Sequence, residues 1–207
     1  MARHAHARSN ADDRISSLPP GEGLSDLGVE EALALREALA HEPVELGVAT
    51  RLRRTQETLE LALGGRDVER LVVPGLDEIG FGAYEGGSLA EYRTWAWSNE
   101  PDVLCPGGGE SRVAVAERLA GALRTLLERP EVAILAVSHA LPIRYVLDAA
   151  DGSFPAARIA QVPHATPFAL DAEAVERAVE TLAVWATAPR FVDPLHDPSI
   201  GSPDRAL

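Results

Sequence analysis

Met1-Ala2-Arg3-His4-Ala5-His6-Ala7-Arg8-Ser9-Asn10 opens the chain with a histidine beside an arginine and an amide six positions on. These are the parts of a phosphate trap. An imidazole can attack phosphorus, a guanidinium offers a rigid fork of donors to phosphoryl oxygens, and an amide adds one more hydrogen bond. A second imidazole stands far down the chain at Val137-Ser138-His139, directly after the apolar run Ile134-Leu135-Ala136-Val137. A short apolar run of this kind reads as a buried strand, which places His139 at a strand end.

The rest of the chain alternates between strand and helix signals. Helical spacing begins at Leu24-Ser25-Asp26-Leu27-Gly28, with Ser25 as cap, carries Val29, Ala32, Leu33, Leu35 and Leu39, and ends near His41-Glu42-Pro43. Val44 to Ala49 suits a buried strand, and Thr50 to Leu63 returns to helical spacing, so an arginine cluster sits where a strand hands over to a helix N-terminus. Arg70-Leu71-Val72-Val73-Pro74 is a further strand. Residues 75–109 are rich in glycine and aromatics and read as an insertion bordering the site, with a short helix over Leu89–Trp97. A helix opens after Gly109-Glu110-Ser111 and buries Val113, Val115, Leu119, Leu123, Leu126 and Leu127. Leu141 to Ala149 is the helix after His139, His164 to Leu170 is extended, and Ala172 to Val184 has helical character. The alternation predicts an α/β fold, a three-layer αβα sandwich with a mostly parallel central sheet and functional groups at the carboxyl ends of strands. Residues 1–188 are expected to form one domain and 189–207 a proline-rich tail.

Two further segments, Thr50-Arg51-Leu52-Arg53-Arg54-Thr55-Gln56-Glu57-Thr58 and Leu76-Asp77-Glu78-Ile79-Gly80-Phe81-Gly82-Ala83-Tyr84-Glu85-Gly86, complete a set of four motifs. In this order they resemble the histidine phosphatase superfamily, the phosphoglycerate mutase-like proteins, from Arg3 to about Leu170. The resemblance implies a nucleophilic His4, with Arg3, Arg54 and Asn10 holding the equatorial phosphoryl oxygens. It implies that His139 is cationic and donates to the phosphoryl group, joined by the backbone amide of Ala140. Glu78 takes the place of the group that gives and then removes a proton, with Asp77 and Glu85 as competitors. Aligning Thr50 and Thr58 with the family pattern selects Arg54, leaving Arg51 and Arg53 as a solvated helix face. The family fold also implies a last strand over Thr181–Thr187. An aspartate follows the second histidine in the acid phosphatase and phytase branch; Ala140 stands there and disfavours that branch. Ile79 stands where mutases place an arginine, which favours a phosphatase. The strand carrying the first histidine is nearly absent, since only Met1 and Ala2 precede Arg3, so either the true start lies upstream or the sheet tolerates a stub.

Other residues invite functional or bland readings. His6 is expected at the pocket entrance, and Tyr84 and Tyr92 as substrate contacts; Trp95 and Trp97 could pack a ring-bearing leaving group or the core of their own lobe. His4 and His6 as a metal pair would make a metal-dependent hydrolase, but apart from His139 and His164 few further ligands are offered. No cofactor and no metal are expected. His41, His164 and His196 read as structural.

Composition narrows the classes further. The 207 residues carry a formal charge of −13, which argues against general affinity for nucleic acid or anionic membrane and requires a local positive pocket for any anionic substrate. All nineteen basic residues are arginine, which removes Schiff-base chemistry. Cys105 is alone, so no internal disulfide can form and a reducing cytoplasm is the natural setting. The expected activity is metal-independent hydrolysis of a small phosphomonoester through phosphohistidine. Mutase-type transfer and non-catalytic binding of a phosphorylated ligand are the alternatives, and monomer and homodimer are both open.

Overall fold

The computed structural model describes residues 1–191. Four short runs, β1 (Ala2–Arg3), β2 (Leu46–Ala49), β3 (Glu69–Val72) and β4 (Ile134–Ser138), form a sheet in the order β1-β4-β2-β3 with every ladder parallel. β2 is buried at each residue, as a strand covered on both faces must be. Its alternate side chains feed two layers. Leu46 and Val48, with Ala136, face α5 (Arg112–Leu127), α6 (Ala140–Ala150) and α7 (Ala172–Thr187), whereas Ala49, Leu135 and Val137 face α2 (Asp26–Ala38) and α3 (Arg53–Leu63). The result is a three-layer α/β fold. α1 (Arg8–Ala11) and α4 (Leu89–Trp97) lie outside these layers.

Local chemistry sets the helix boundaries. Ser25 caps α2 by accepting from the Gly28 amide at 3.2 Å, and Ser25 N and Oγ both donate to the His6 carbonyl. α2 thus presses its first turn on the loop that follows β1, and Gly28 is the contact: a Cβ there would overlap the His6 carbonyl oxygen. Gly28→Ala is therefore expected to lower unfolding free energy by about 2 kcal/mol or more in urea titration. Because His6 lies two residues beyond His4, the same change should reduce activity more than the shift in unfolding midpoint explains.

α3 begins at Arg53 rather than Thr50, because the Thr50 and Thr55 hydroxyls hold residues 50–52 in a turn and the Arg53 amide donates to Pro20 O at 2.7 Å. It ends at Gly64 in the left-handed region (φ 58°), where a glycine has no Cβ to strain.

The last strand expected over Thr181–Thr187 is not formed; α7 runs unbroken to Thr187. Ala174, Ala178, Val179, Leu182 and Trp185 recur at helical spacing and bury one stripe, which a strand would scatter over two faces. The outer edge of β1 is met instead by segment 164–168, which turns at Ala165 (φ 46°) where extended backbone was expected, through Ala165 N to Arg3 O at 3.0 Å and Phe168 N to Met1 O at 2.7 Å. Pro167 has no N–H, and only isolated bridges form. The two-residue stub β1 therefore has neighbours on both sides. The expected proline-rich tail lies, from residue 192 on, outside the described residues.

Candidate active site

β1 and β4 end side by side. Their ladder pairs Arg3 with Ser138 and continues as His4 N to Ser138 O at 2.9 Å, so His4 and His139 leave the sheet at one level. Their ring centroids are 5.2 Å apart, and their exposures are 3% and 0%. Arg54, in the first turn of α3 and 3% exposed, bridges them: Nε donates to His4 Nε2 at 3.1 Å and an Nη donates to His139 Nδ1 at 3.2 Å. Arg51 is instead engaged by Asp77 at 2.6 Å and Arg53 by Glu57 at 2.6 Å. Of the three arginines, only Arg54 is turned to the histidines.

Hydrogen bonding fixes both tautomers. His4 Nδ1 faces the Ala5 carbonyl at 2.8 Å and must donate, which leaves a lone pair on Nε2. Thr55 Oγ1 donates to Leu52 O and accepts from Thr50 N, so the Thr50 hydroxyl donates to Thr55 and in turn accepts from His139 Nε2 at 3.0 Å. His139 Nδ1 then carries the lone pair that Arg54 meets. Both imidazoles are held well below the usual value of 6.5, first by burial and next by Arg54; His139 and Arg3 add to this at His4, as do Arg118 and Arg3 at His139. Burial and the neighbouring guanidinium groups thus oppose the cationic His139 expected from the resemblance.

Arg3 donates to Val162 O at 2.8 Å, while its buried Nε has no partner. Asn10 Oδ1 accepts from the Ala7 amide at 2.9 Å, which fixes the side chain and commits none of its Nδ2 donors. Ala140 opens α6, and all three residues line one cavity of about 540 Å3 with His4, Arg54 and Glu78.

Three carboxylates compete near this cavity, and two are committed elsewhere. Asp77 accepts from Arg51, and Glu85 accepts from Ser17 N, Ser17 Oγ and Leu18 N. Among the described residues Glu78 accepts only from the Ile79 amide at 3.0 Å, and burial raises its pKa above 4.5 against the opposing pull of Arg54, Ile79 N–H, Arg3 and Arg118. Arg118 on α5 fixes this loop by donating to Gly75 O, Asp77 O and Glu78 O.

Arginines 3, 14, 54, 93 and 112 line the cavity against two carboxylates, Asp13 and Glu78, so a protein of charge −13 keeps a positive concavity. Residues 75–109 supply Glu78, Ile79, Phe81, Tyr92 and Trp97 to its wall. Tyr92 is therefore at the cavity, but Tyr84 is not; it packs on Tyr92 and Trp95 with centroids 5.8 and 5.9 Å away. His6 also lies outside the lining, with Nδ1 2.8 Å from Ser25 Oγ. His164, read as structural, is in the lining: its ring is 5.6 Å from His4, its Nε2 is buried without a partner, and burial, Arg3 and His6 lower its pKa to about 3. Arg93 and Arg112 also reach the lining, and a single arginine on a helix carries no sequence signal of the direction it faces.

No helix among the described residues is long and apolar enough to cross a membrane. A chain segment is 32% identical to adenosylcobalamin/alpha-ribazole phosphatase of Salmonella typhimurium, over 41% of this chain and 42% of that protein. Glucosyl-3-phosphoglycerate phosphatase of Mycolicibacterium vanbaalenii is 35% identical over 57% of this chain and 54% of its own length, so the matches span about half of these relatives. The crystal structure of alpha-ribazole phosphatase from Shigella flexneri superimposes with a TM-score of 0.66 at 27% identity, covering 74% of this chain and 79% of that one. Residues 1–185 match the model of the Histidine phosphatase superfamily (branch 1), and the chain belongs to that family.

Proposed function

We propose that the protein hydrolyses a phosphomonoester without a metal, through a phosphohistidine on His4. The carrying observation is the Arg54 bridge, which holds two buried, neutral imidazoles by their lone pairs, with His4 and Arg54 in the wall of a positive cavity and His139 directly behind it. A phosphoryl oxygen is a stronger acceptor than an imidazole nitrogen, so an incoming phosphate draws the guanidinium bonds to itself and uncovers both lone pairs. His4 Nε2 then attacks phosphorus. The ester P–O bond breaks with its electron pair on the leaving oxygen, which takes the Glu78 proton. Water next attacks the phosphohistidine and gives a proton to the Glu78 carboxylate, while the P–N bond returns its pair to Nε2. Arg3, Arg54, Asn10 and the Ala140 amide hold the phosphoryl oxygens, and His139, cationic once the anion is bound, donates to them. The named phosphatases among the relatives support hydrolysis over mutase transfer. Cys105, buried and free, suits a reducing compartment, and the cytoplasm is the proposed location.

The test is release of phosphate from an aryl phosphate with chelator present, together with trapping of an acid-labile, base-stable phosphoenzyme. A requirement for added metal, or retention of the trapped phosphate after His4 is removed, would defeat the proposal. The pH profile supplies an independent check. The raised pKa of Glu78 keeps its carboxyl protonated to higher pH than usual, so the acid needed for leaving-group departure is present below that pKa and lost above it. With an alkyl phosphate, kcat/KM should fall along an alkaline limb. Glu78→Gln should flatten that limb and lower the rate by roughly 10²- to 10⁴-fold.

A further inference from the structure

Arg112 is 8% exposed, lies in the wall of the catalytic cavity and has no carboxylate within salt-bridge distance among the described residues. Its well-formed side-chain hydrogen bond is an Nη donating to Tyr145 Oη at 3.2 Å, it also approaches the Tyr92 hydroxyl, and its buried Nε meets no acceptor among the described residues. The guanidinium carbon sits 5.9 Å from the Tyr92 ring centroid and 6.0 Å from that of Tyr145. These phenols do not neutralise it: burial pushes Tyr92 up to about 12 and also raises Tyr145, so both remain uncharged at neutral pH. The Tyr92 hydroxyl is buried beside Arg112 and, among the described residues, makes no hydrogen bond of good geometry. A buried charge is ordinarily paired, and a buried donor ordinarily satisfied. Here two neighbouring groups in one wall of the substrate cavity break both rules. The phosphoryl-holding groups Arg3 and Arg54 are separate from them in sequence, on β1 and α3, whereas Arg112 and Tyr92 come from α5 and α4.

We infer that Arg112, with the Tyr92 hydroxyl, forms a subsite for a second anionic group on the leaving portion of the substrate, a carboxylate or a second phosphate. This inference rests on the hydrolytic reading of the site and specifies its substrate class. A planar guanidinium fork fits either anion, and binding one pairs the charge that the fold leaves alone. The neutral alternative is that Arg112 merely joins α4, α5 and α6 by stacking on the two tyrosines.

Matched esters separate these roles. 3-Phosphoglycerate differs from glycerol 3-phosphate by a carboxylate in place of a hydroxymethyl group, and fructose 1,6-bisphosphate differs from fructose 6-phosphate by a second phosphate. Wild-type kcat/KM should favour the more anionic member of at least one pair, which identifies the anion. Arg112→Met should shrink that preference roughly 10- to 100-fold, mainly through KM, and Arg112→Lys should restore part of it. A stacking role alone would lower both members in proportion and leave the ratio intact. The inference is overturned by a wild type indifferent within both pairs, or by a preference that survives Arg112→Met. If that variant does not fold, the ratio in Arg112→Lys decides, since a point charge cannot reproduce the fork and must reduce it. If none of the four esters is turned over, the aryl phosphate assay still judges the hydrolytic reading. Calorimetric binding of the paired esters then judges Arg112, and equal affinities within both pairs refute it.

Discussion

Replacing His4 by alanine is expected to reduce phosphate release by at least ~10⁴-fold and to abolish the trapped phosphoenzyme, because no other group can take its place. His139 presents its lone pair to the same arginine, but its opposite nitrogen is tied to a chain of two threonine hydroxyls that ends on the Leu52 carbonyl. His164 is near His4, yet it is anchored in segment 164–168, and Arg54 is hydrogen-bonded to His4 and His139 rather than to it. Stopped assays at high enzyme concentration, with inorganic phosphate and acid-labile label measured on the same samples, give both readings. Residual turnover above a hundredth of wild type would remove His4 from the role assigned to it. The loss should also be non-additive: His4→Ala combined with Arg54→Met should be hardly slower than His4→Ala alone, since the proposed reaction has both side chains act on one phosphoryl group.

Arg54→Met is expected to move activity and stability in opposite directions. Arg54 is nine-tenths or more buried, has an Nη without a partner, and has its pKa lowered from 12.5 to about 10, first by burial. The unfolded chain therefore holds that proton more tightly than the folded one. Folding is penalised at every pH below about 10, and the penalty is relieved only as pH rises from there towards 12.5. The shift corresponds to something on the order of 3 kcal/mol at neutral pH. An apolar side chain of similar length removes this term at the cost of two hydrogen bonds to neutral imidazoles, so Tm should rise by about 3 °C or more. Activity should fall by ~10³-fold or more, because in the proposed reaction the guanidinium faces the developing phosphoryl transition state. Calorimetry beside kinetics on one preparation tests the pair of effects. A fall in Tm would show that the bridge stabilises the fold rather than drawing on it, and vanadate, which should stabilise the wild type, should then be tried on the variant.

Much of the sheet was legible because its strands are short, apolar and separated by amphipathic helices; β2, β4 and the cap at Ser25 fall where the periodicity places them. Boundaries moved where side chains replaced backbone hydrogen bonds, as at Thr50 and Thr55, whose hydroxyls delay the start of α3. The expectation of a strand over Thr181–Thr187 came from resemblance and lost to periodicity: Leu182 and Trp185 continue the stripe begun at Ala174. In the site, neighbours in sequence could be sorted by partners only in three dimensions. Nothing in Arg51-Leu52-Arg53-Arg54 reveals that Asp77 and Glu57 engage two of the three arginines. His6 and Tyr84 looked favourable by nearness in sequence, but one turns towards the cap of α2 and the other into an aromatic cluster. His164 and Arg112 were invisible for the converse reason, since each reaches the cavity by a long-range packing arrangement.

His4 and His139 leave adjacent strands one step past the same rung, and this has a consequence for protein engineering. Their separation belongs to the backbone ladder and not to the side chains around them. A library randomised at Tyr92, Trp97 and Ile159 would reshape the vestibule while preserving the distance between the two nitrogens. Deleting a single residue of β4 would shift one imidazole by a strand step of ~3.3 Å and turn it to the opposite face, a defect that no vestibule substitution could repair.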